Sequence, residues 1–223
     1  MKKMIIIIII LATILISMII YKNLSTGATN QVNVQEIQKI EESISTIYLW
    51  KEITNEALST FESVNNADEL WIWEVTKKNL EQYEVSKEEI QTKTKEIFGE
   101  EFNREVPEEG NSSFEYDKTT NKYYPTEVIL DQMEDSFLLN KIEKTDQGYI
   151  VEIVEYLQDY TNGDKVIVRN LGQEELGQVS IYDSETKMQE IVKNNINRFD
   201  KKKIYFKVEN NNLIVEKVEK IQE

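Results

Sequence analysis

The 223-residue chain has no cysteine, no histidine, two prolines and seven glycines. Without cysteine there can be no disulfide, thiolate nucleophile, zinc–thiolate site or lipidated N-terminal cysteine. Without histidine the commonest general base near neutral pH and the commonest metal ligand are both missing. Ser-His-Asp triads, His-Glu-x-x-His zinc sites and Cys-His dyads are therefore excluded. Carboxylate pairs, Ser-Lys chemistry and oxygen-only metal sites remain. There is no glycine-rich phosphate loop, and no cofactor is implied. Positive charge is also scarce: 26 Lys plus Arg face 41 Asp plus Glu, a formal net charge of −15. Such a balance disfavours nucleic acid and anionic headgroups as partners and would attract basic proteins, cationic peptides or metal ions. A solvated acidic surface is enough to account for it.

What is present begins with Met1-Lys2-Lys3 and an uncharged run from Met4 to Tyr21 that includes six consecutive isoleucines, Ile5 to Ile10. As a helix this run would reach about 27 Å, near the short end of what spans a bilayer. The reading is a cytoplasmic tail (1–3), a transmembrane helix (4–21), a polar linker (22–33) and a domain (34–223). Lysines before the span favour a cytoplasmic N-terminus and an extracytoplasmic body. A cleaved signal peptide competes with a signal-anchor. The run exceeds an ordinary signal core, but Ser25, Gly27 and Ala28 follow it. A pilin-like start lacks its glutamate.

Past the linker, Val34, Ile37, Ile40, Ile44, Ile47 and Trp50 recur at spacings of three and four, and the stripe extends through Ala57 and Phe61 to predict a helix over 34–62. A second helix is expected over 67–82. A third opens on the Ser86–Glu89 capping box and closes at Gly99. The period then shortens. Phe114–Tyr116 and Lys122–Tyr124 form a hairpin, and Phe137–Lys144, Tyr149–Tyr160, Lys165–Arg169 and Gln178–Tyr182 read as strands. A helix follows over 185–198, and strands near 204–208 and 213–221 flank Asn210-Asn211-Asn212. The expected class is α+β, with helices on one face of a mainly antiparallel curved sheet, as in cystatin-like or NTF2-like folds.

Trp71 and Trp73, together with Tyr116, Tyr123 and Tyr124, are candidate ligand-binding residues, because aromatic clusters take sugar rings or peptide side chains. Packing in the core or on the sheet accounts for them as well. Trp71 and Trp73 are two apart and cannot share one helix face. Glu155 is the candidate catalytic residue. If its face of the strand points inward, burial raises its pKa toward that of a general acid. A paired structural glutamate is the competing reading. A glycosidase also needs a second carboxylate roughly 5–9 Å away, and Asp159 is not placed to be it. Asp159-Tyr160-Thr161-Asn162-Gly163-Asp164 lacks the calcium-loop pattern and reads as a turn; no metal site is expected.

Leu70-Trp71-Ile72-Trp73, Ile97-Phe98-Gly99-Glu100-Glu101-Phe102, Tyr123-Tyr124-Pro125 and Glu155-Tyr156-Leu157-Gln158-Asp159-Tyr160, with a Lys, Ile and Asn bias, resemble uncharacterised membrane-anchored proteins of AT-rich Gram-positive bacteria such as clostridia. That resemblance brings no chemistry with it. The expected function is a non-enzymatic binding or scaffolding module of the cell envelope. It would be held in the bilayer through residues 4–21, with an envelope protein or peptide as partner. An envelope hydrolase built on a carboxylate pair and homotypic assembly through the first amphipathic helix are the alternatives.

Overall fold

The computed structural model describes residues 32–49, 56–80, 82–111, 113–126, 132–183 and 185–222. The run 4–21 lies outside the described residues, as do the tail 1–3 and most of the linker. Among the described residues no helix is long and apolar enough to cross a membrane. The expected architecture is corrected accordingly: the described structure is α+β without a spanning helix. The bilayer partner, the cell-membrane location and the anchored envelope role are withdrawn with it.

Among the described residues three α-helices precede the strands. Helix α1 (Val34–Ile47) opens on a capping box. Asn33 Oδ1 accepts Glu36 N–H at 3.0 Å, and Glu36 Oε2 accepts Asn33 N–H at 2.7 Å. Ile37, Ile40, Ile44 and Ile47 are all buried. The helix stops at Ile47 rather than running to residue 62. The Lys78 ammonium donates to the carbonyls of Ser45 and Tyr48 at 2.6 and 2.7 Å, and Asn79 donates to Thr46 O at 2.9 Å. These donors satisfy carbonyls that a helix end leaves without partners. Phe61, expected on the same stripe, instead pairs through its backbone with Val218 of the last strand. Trp50 is outside the described residues. Because the isoleucine stripe is docked in the core, homotypic assembly through an exposed stripe is also corrected.

Helix α2 (Glu69–Lys78) is capped by Asp68 and buries every residue from Trp71 to Thr76. Its middle is covered on every face, Glu74 and Thr76 included, while Glu69 and Lys78 at its ends stay exposed. Helix α3 (Lys87–Phe98) carries the expected Ser86–Glu89 capping box. Gly99 ends it at φ +90° and ψ 166°, a positive φ but not the left-handed helical state expected.

Strands β1 (Phe114–Asp117) and β2 (Lys122–Pro125) form a separate two-stranded sheet. The remaining strands, β3 (Met133–Lys144), β4 (Gly148–Asn162), β5 (Lys165–Arg169), β6 (Glu175–Ser180), β7 (Asp200–Glu209) and β8 (Asn212–Lys220), form one antiparallel sheet. β4 is long enough to serve two partners on one edge. Residues 148–155 pair with β7 and 157–162 with β5, while β3 follows the other edge throughout. The β7–β8 and β5–β6 ribbons therefore leave β4 in succession. The turn joining β7 to β8 uses Asn210 and Asn211 at φ 47° and 67°, the positive values a tight hairpin requires.

Two bulges keep apolar side chains inward. In β3 the register shifts between Leu139 and Lys141, so Ile142, not Lys141, lies opposite Val151. In β8 the shift places Val215 opposite Phe206 and leaves Glu216 exposed. A bulge adds one residue, which restores the alternation a charged residue would otherwise break.

Helices cover both faces of this sheet, which corrects the expectation of helices on one face. Tyr149, Val151 and Ile153 of β4 pack with α1, α2 and α3 in the main core. Val154 and Tyr156 pack on the opposite face with Val192 of helix α4 (Glu185–Asn194), Phe199 and Leu138. β4 therefore reads as mixed on both faces because both are buried.

Candidate functional site

Glu155 lies on the main-core face and is 1% exposed. The Tyr48 hydroxyl donates to its Oε1 at 3.3 Å. Among the described residues Oε2 accepts no directed hydrogen bond, but it sits 3.3 Å from Lys202 Nζ. Lys202, itself 4% exposed, also contacts Glu56 at 3.1 Å and donates to Leu58 O. Burial pushes the Glu155 carboxyl above its usual range, and the Lys202 charge pulls it back. Burial and the nearby Glu155 charge also raise the Tyr48 hydroxyl. The carboxylate is thus inward-facing, as one sequence reading required. Its partners are a lysine and a tyrosine, and solvent does not reach it. This is a charge pair that joins β4, β7 and the segment after α1, and it offers no cleft for a glycosidic bond. Asp159 is separately occupied: it accepts from Arg169 Nε at 2.8 Å and from Thr161 N–H and Oγ–H at 2.9 and 2.6 Å.

Ser113, Glu74 and Lys77 form a second buried line. Ser113 Oγ donates to Glu74 Oε1 at 2.6 Å, and Lys77 Nζ lies 2.6 Å from Glu74 Oε2. The chemistry resembles that of an activated serine, but Ser113 is fully buried and no substrate reaches it. A third cluster lies under α4. Burial pushes Tyr156 up to about 12 and raises the Glu185 carboxyl. Among the described residues the Tyr156 hydroxyl and Gln189 Oε1 have no hydrogen-bond partner of good geometry. Among the described residues no group of three or more acidic side chains is placed to hold a metal ion.

Trp71 and Trp73 are both buried. Trp71 stacks at an angle between Phe61 and Phe98, with centroids 5.5 and 5.6 Å away, and its indole donates to Ala57 O at 3.3 Å. Trp73 meets Phe102 edge-on at 6.2 Å. They lie on different faces of α2, as their spacing demands, and each of those faces is covered.

The tyrosines divide between the two sides of the β1–β2 hairpin. Tyr116 and Tyr123 are register partners on the inner side, 4.8 Å apart. Tyr123 is 1% exposed and donates to Pro107 O at 3.0 Å. Tyr124 is paired with Glu115 on the other side. There its ring meets that of Tyr83 at 5.9 Å and 65°, and its hydroxyl lies 3.3 Å from Thr120 Oγ1. Tyr83 is 71% exposed, and a backbone bridge between Val85 and Tyr123 holds the connection that carries it. Lys122 pairs with Glu84 at 2.8 Å beside the two rings. This solvent-facing aromatic corner is the arrangement in the described residues that best suits a ligand.

Tyr83 was not singled out from the sequence, where it falls just beyond the expected second helix. The available signal was its position: α2 ends at Lys78, and Ser86 caps the next helix. A large aromatic in that polar connection belongs to no helical stripe. No protein-family model, curated protein or solved structure matches the chain.

Proposed function

We propose that this α+β domain is a recognition module that binds its ligand at the corner formed by Tyr83 and Tyr124. The supporting observation is the exposure of Tyr83 in a fixed ring pair, while the tryptophans and the inner tyrosines are absorbed by packing. Aromatic side chains are amphipathic and lose little conformational freedom on binding, so exposed, braced rings suit recognition. The buried Glu155–Lys202 pair and the buried Ser113–Glu74–Lys77 line serve the fold in this reading.

The test is NMR shift mapping on the full chain with four probes: hexalysine, hexaglutamate, hexaglycine and cellohexaose. At least one should shift resonances at Tyr83, Tyr124 and Glu115, and the Tyr83→Ala/Tyr124→Ala double variant should lose that response. If every response survives in the double variant, or none maps to the hairpin, recognition at this corner is refuted.

A further inference from the structure

The geometry points to a cationic side chain, the lysine or arginine of a basic polypeptide segment, as what the Tyr83–Tyr124 corner receives. This inference rests on the recognition reading above and adds the chemistry of the ligand. Three observations carry it.

First, a carboxylate is in place. Glu115 is the register partner of Tyr124, so both side chains project from one face of the hairpin at cross-strand contact distance. Glu115 is exposed, and among the described residues its side chain makes no hydrogen bond or ion pair. Its acidic neighbours are committed. Glu84 holds Lys122 at 2.8 Å, and Asp117 accepts from Thr119 N–H at 2.8 Å and Thr120 Oγ–H at 3.1 Å to close the turn.

Second, among the described residues no cation covers the ring faces, and Lys122 beside them is held by Glu84 at 2.8 Å. Elsewhere the chain covers its own tyrosines: Lys144 Nζ lies 6.0 Å from the Tyr149 centroid and Lys217 Nζ 5.4 Å from that of Tyr205. Among the described residues no lysine or arginine stands over Tyr83 or Tyr124 in this way. A tyrosine face carries negative quadrupolar potential and attracts an ammonium or guanidinium placed over it.

Third, the shape fits. Rings inclined at 65° form a corner, not the flat platform that a sugar ring stacks on. A compact cation can touch one ring face and reach the Glu115 carboxylate. The net charge of −15 draws basic chains toward the surface, and the corner gives one of their side chains a seat.

The test is calorimetric titration of the full chain with hexalysine and, separately, cellohexaose. It compares the wild type with Glu115→Gln, Tyr83→Leu, Tyr124→Leu and Glu216→Gln. Leucine keeps apolar bulk while removing the π face. Glu216→Gln removes one exposed charge on β8, away from the hairpin sheet. The expected result is a hexalysine Kd about threefold weaker in Glu115→Gln. Each tyrosine variant should weaken it by about three- to fivefold, and Glu216→Gln should leave it close to wild type. Equal hexalysine binding by all five proteins would mean attraction to overall charge and would overturn the inference. Tyrosine-dependent binding of cellohexaose without hexalysine would overturn the cation but keep the recognition site. If neither probe binds in a tyrosine-dependent way, the cation inference fails, and the recognition reading fails with it unless hexaglutamate or hexaglycine maps to the corner in the shift experiment.

Discussion

Replacing Lys202 by methionine tests the assignment of Glu155 to structure. In the wild type the two charges lie 3.3 Å apart, at 4% and 1% exposure. At an effective dielectric of 20, Coulomb's law gives an attraction of about 5 kcal/mol. Methionine retains the aliphatic stem and deletes the ammonium, leaving the carboxylate, among the described residues, the Tyr48 hydroxyl at 3.3 Å. Breaking a buried pair from one side costs about 3–5 kcal/mol, and Glu56, half exposed, regains water cheaply. Lys202→Met should therefore lose about 3 kcal/mol at pH 7 in urea unfolding followed by tryptophan fluorescence and circular dichroism. The loss should also depend on pH in a definite sense. Burial already raises the Glu155 pKa, and losing Lys202 raises it further. Between the unfolded carboxylate pKa and this raised value the native state holds more protons than the unfolded chain, so stability falls as pH rises through the window. The penalty should shrink toward pH 4. Lys202→Met/Glu155→Leu, which removes both charges, should return to within about 1 kcal/mol of wild type. A single variant costing less than about 1 kcal/mol at pH 7, or a double variant as unstable as the single, would refute the buried-pair argument.

Three further outcomes follow from local geometry. Contacts with Lys144, the Asn33 N–H and the Tyr149 hydroxyl lower the Glu36 carboxyl to about 2. Its stabilisation is complete above the unfolded carboxylate pKa and disappears as pH falls toward 2, so Glu36→Gln should cost about 1–2 kcal/mol at pH 7 and little at pH 2, as acid-series denaturation would reveal. Tyr156→Phe deletes a buried hydroxyl that has no hydrogen-bond partner of good geometry among the described residues and should be neutral or stabilising, whereas Tyr48→Phe removes the one hydroxyl proton shared between Ser136 O at 3.1 Å and Glu155 and should cost about 1 kcal/mol or more in thermal melts. Gly148→Ala places a Cβ 1.9 Å from the Phe206 carbonyl oxygen, a backbone atom that cannot swing aside; the variant should lose about 3 kcal/mol or more, or fail to fold, as read by soluble yield and circular dichroism.

Much of the element order was legible because its signals are local. The Ser86–Glu89 cap, the asparagine turn at 210–211 and the alternation of Ile204 and Phe206 depend on residues a few positions apart, and each appears where expected. Errors arose where a distant segment competed for the backbone. The stripe from Val34 to Phe61 is periodic throughout, yet Lys78 and Asn79 take the carbonyls at the end of α1, and Val218 takes the backbone of Phe61. Glu155 could not be assigned to a face because β4 is buried on both. Its partner, Lys202, shares the inward face of Ile204 and Phe206 by alternation, but nothing local says which carboxylate it meets there. The ligand corner was half legible: Tyr124 and Glu115 are visible as a hairpin pair, but Tyr83 joins them only through the bridge from Val85 to Tyr123.

The sequence by itself settled what chemistry was impossible, through the missing thiols and imidazoles, and settled the α+β class, through periodicities of three to four residues and of two. Only the tertiary structure decided which charged and aromatic groups are enclosed and which remain exposed. Exposure depends on what packs from elsewhere in the chain, and a tyrosine in the core carries the same local signature as a tyrosine at the surface.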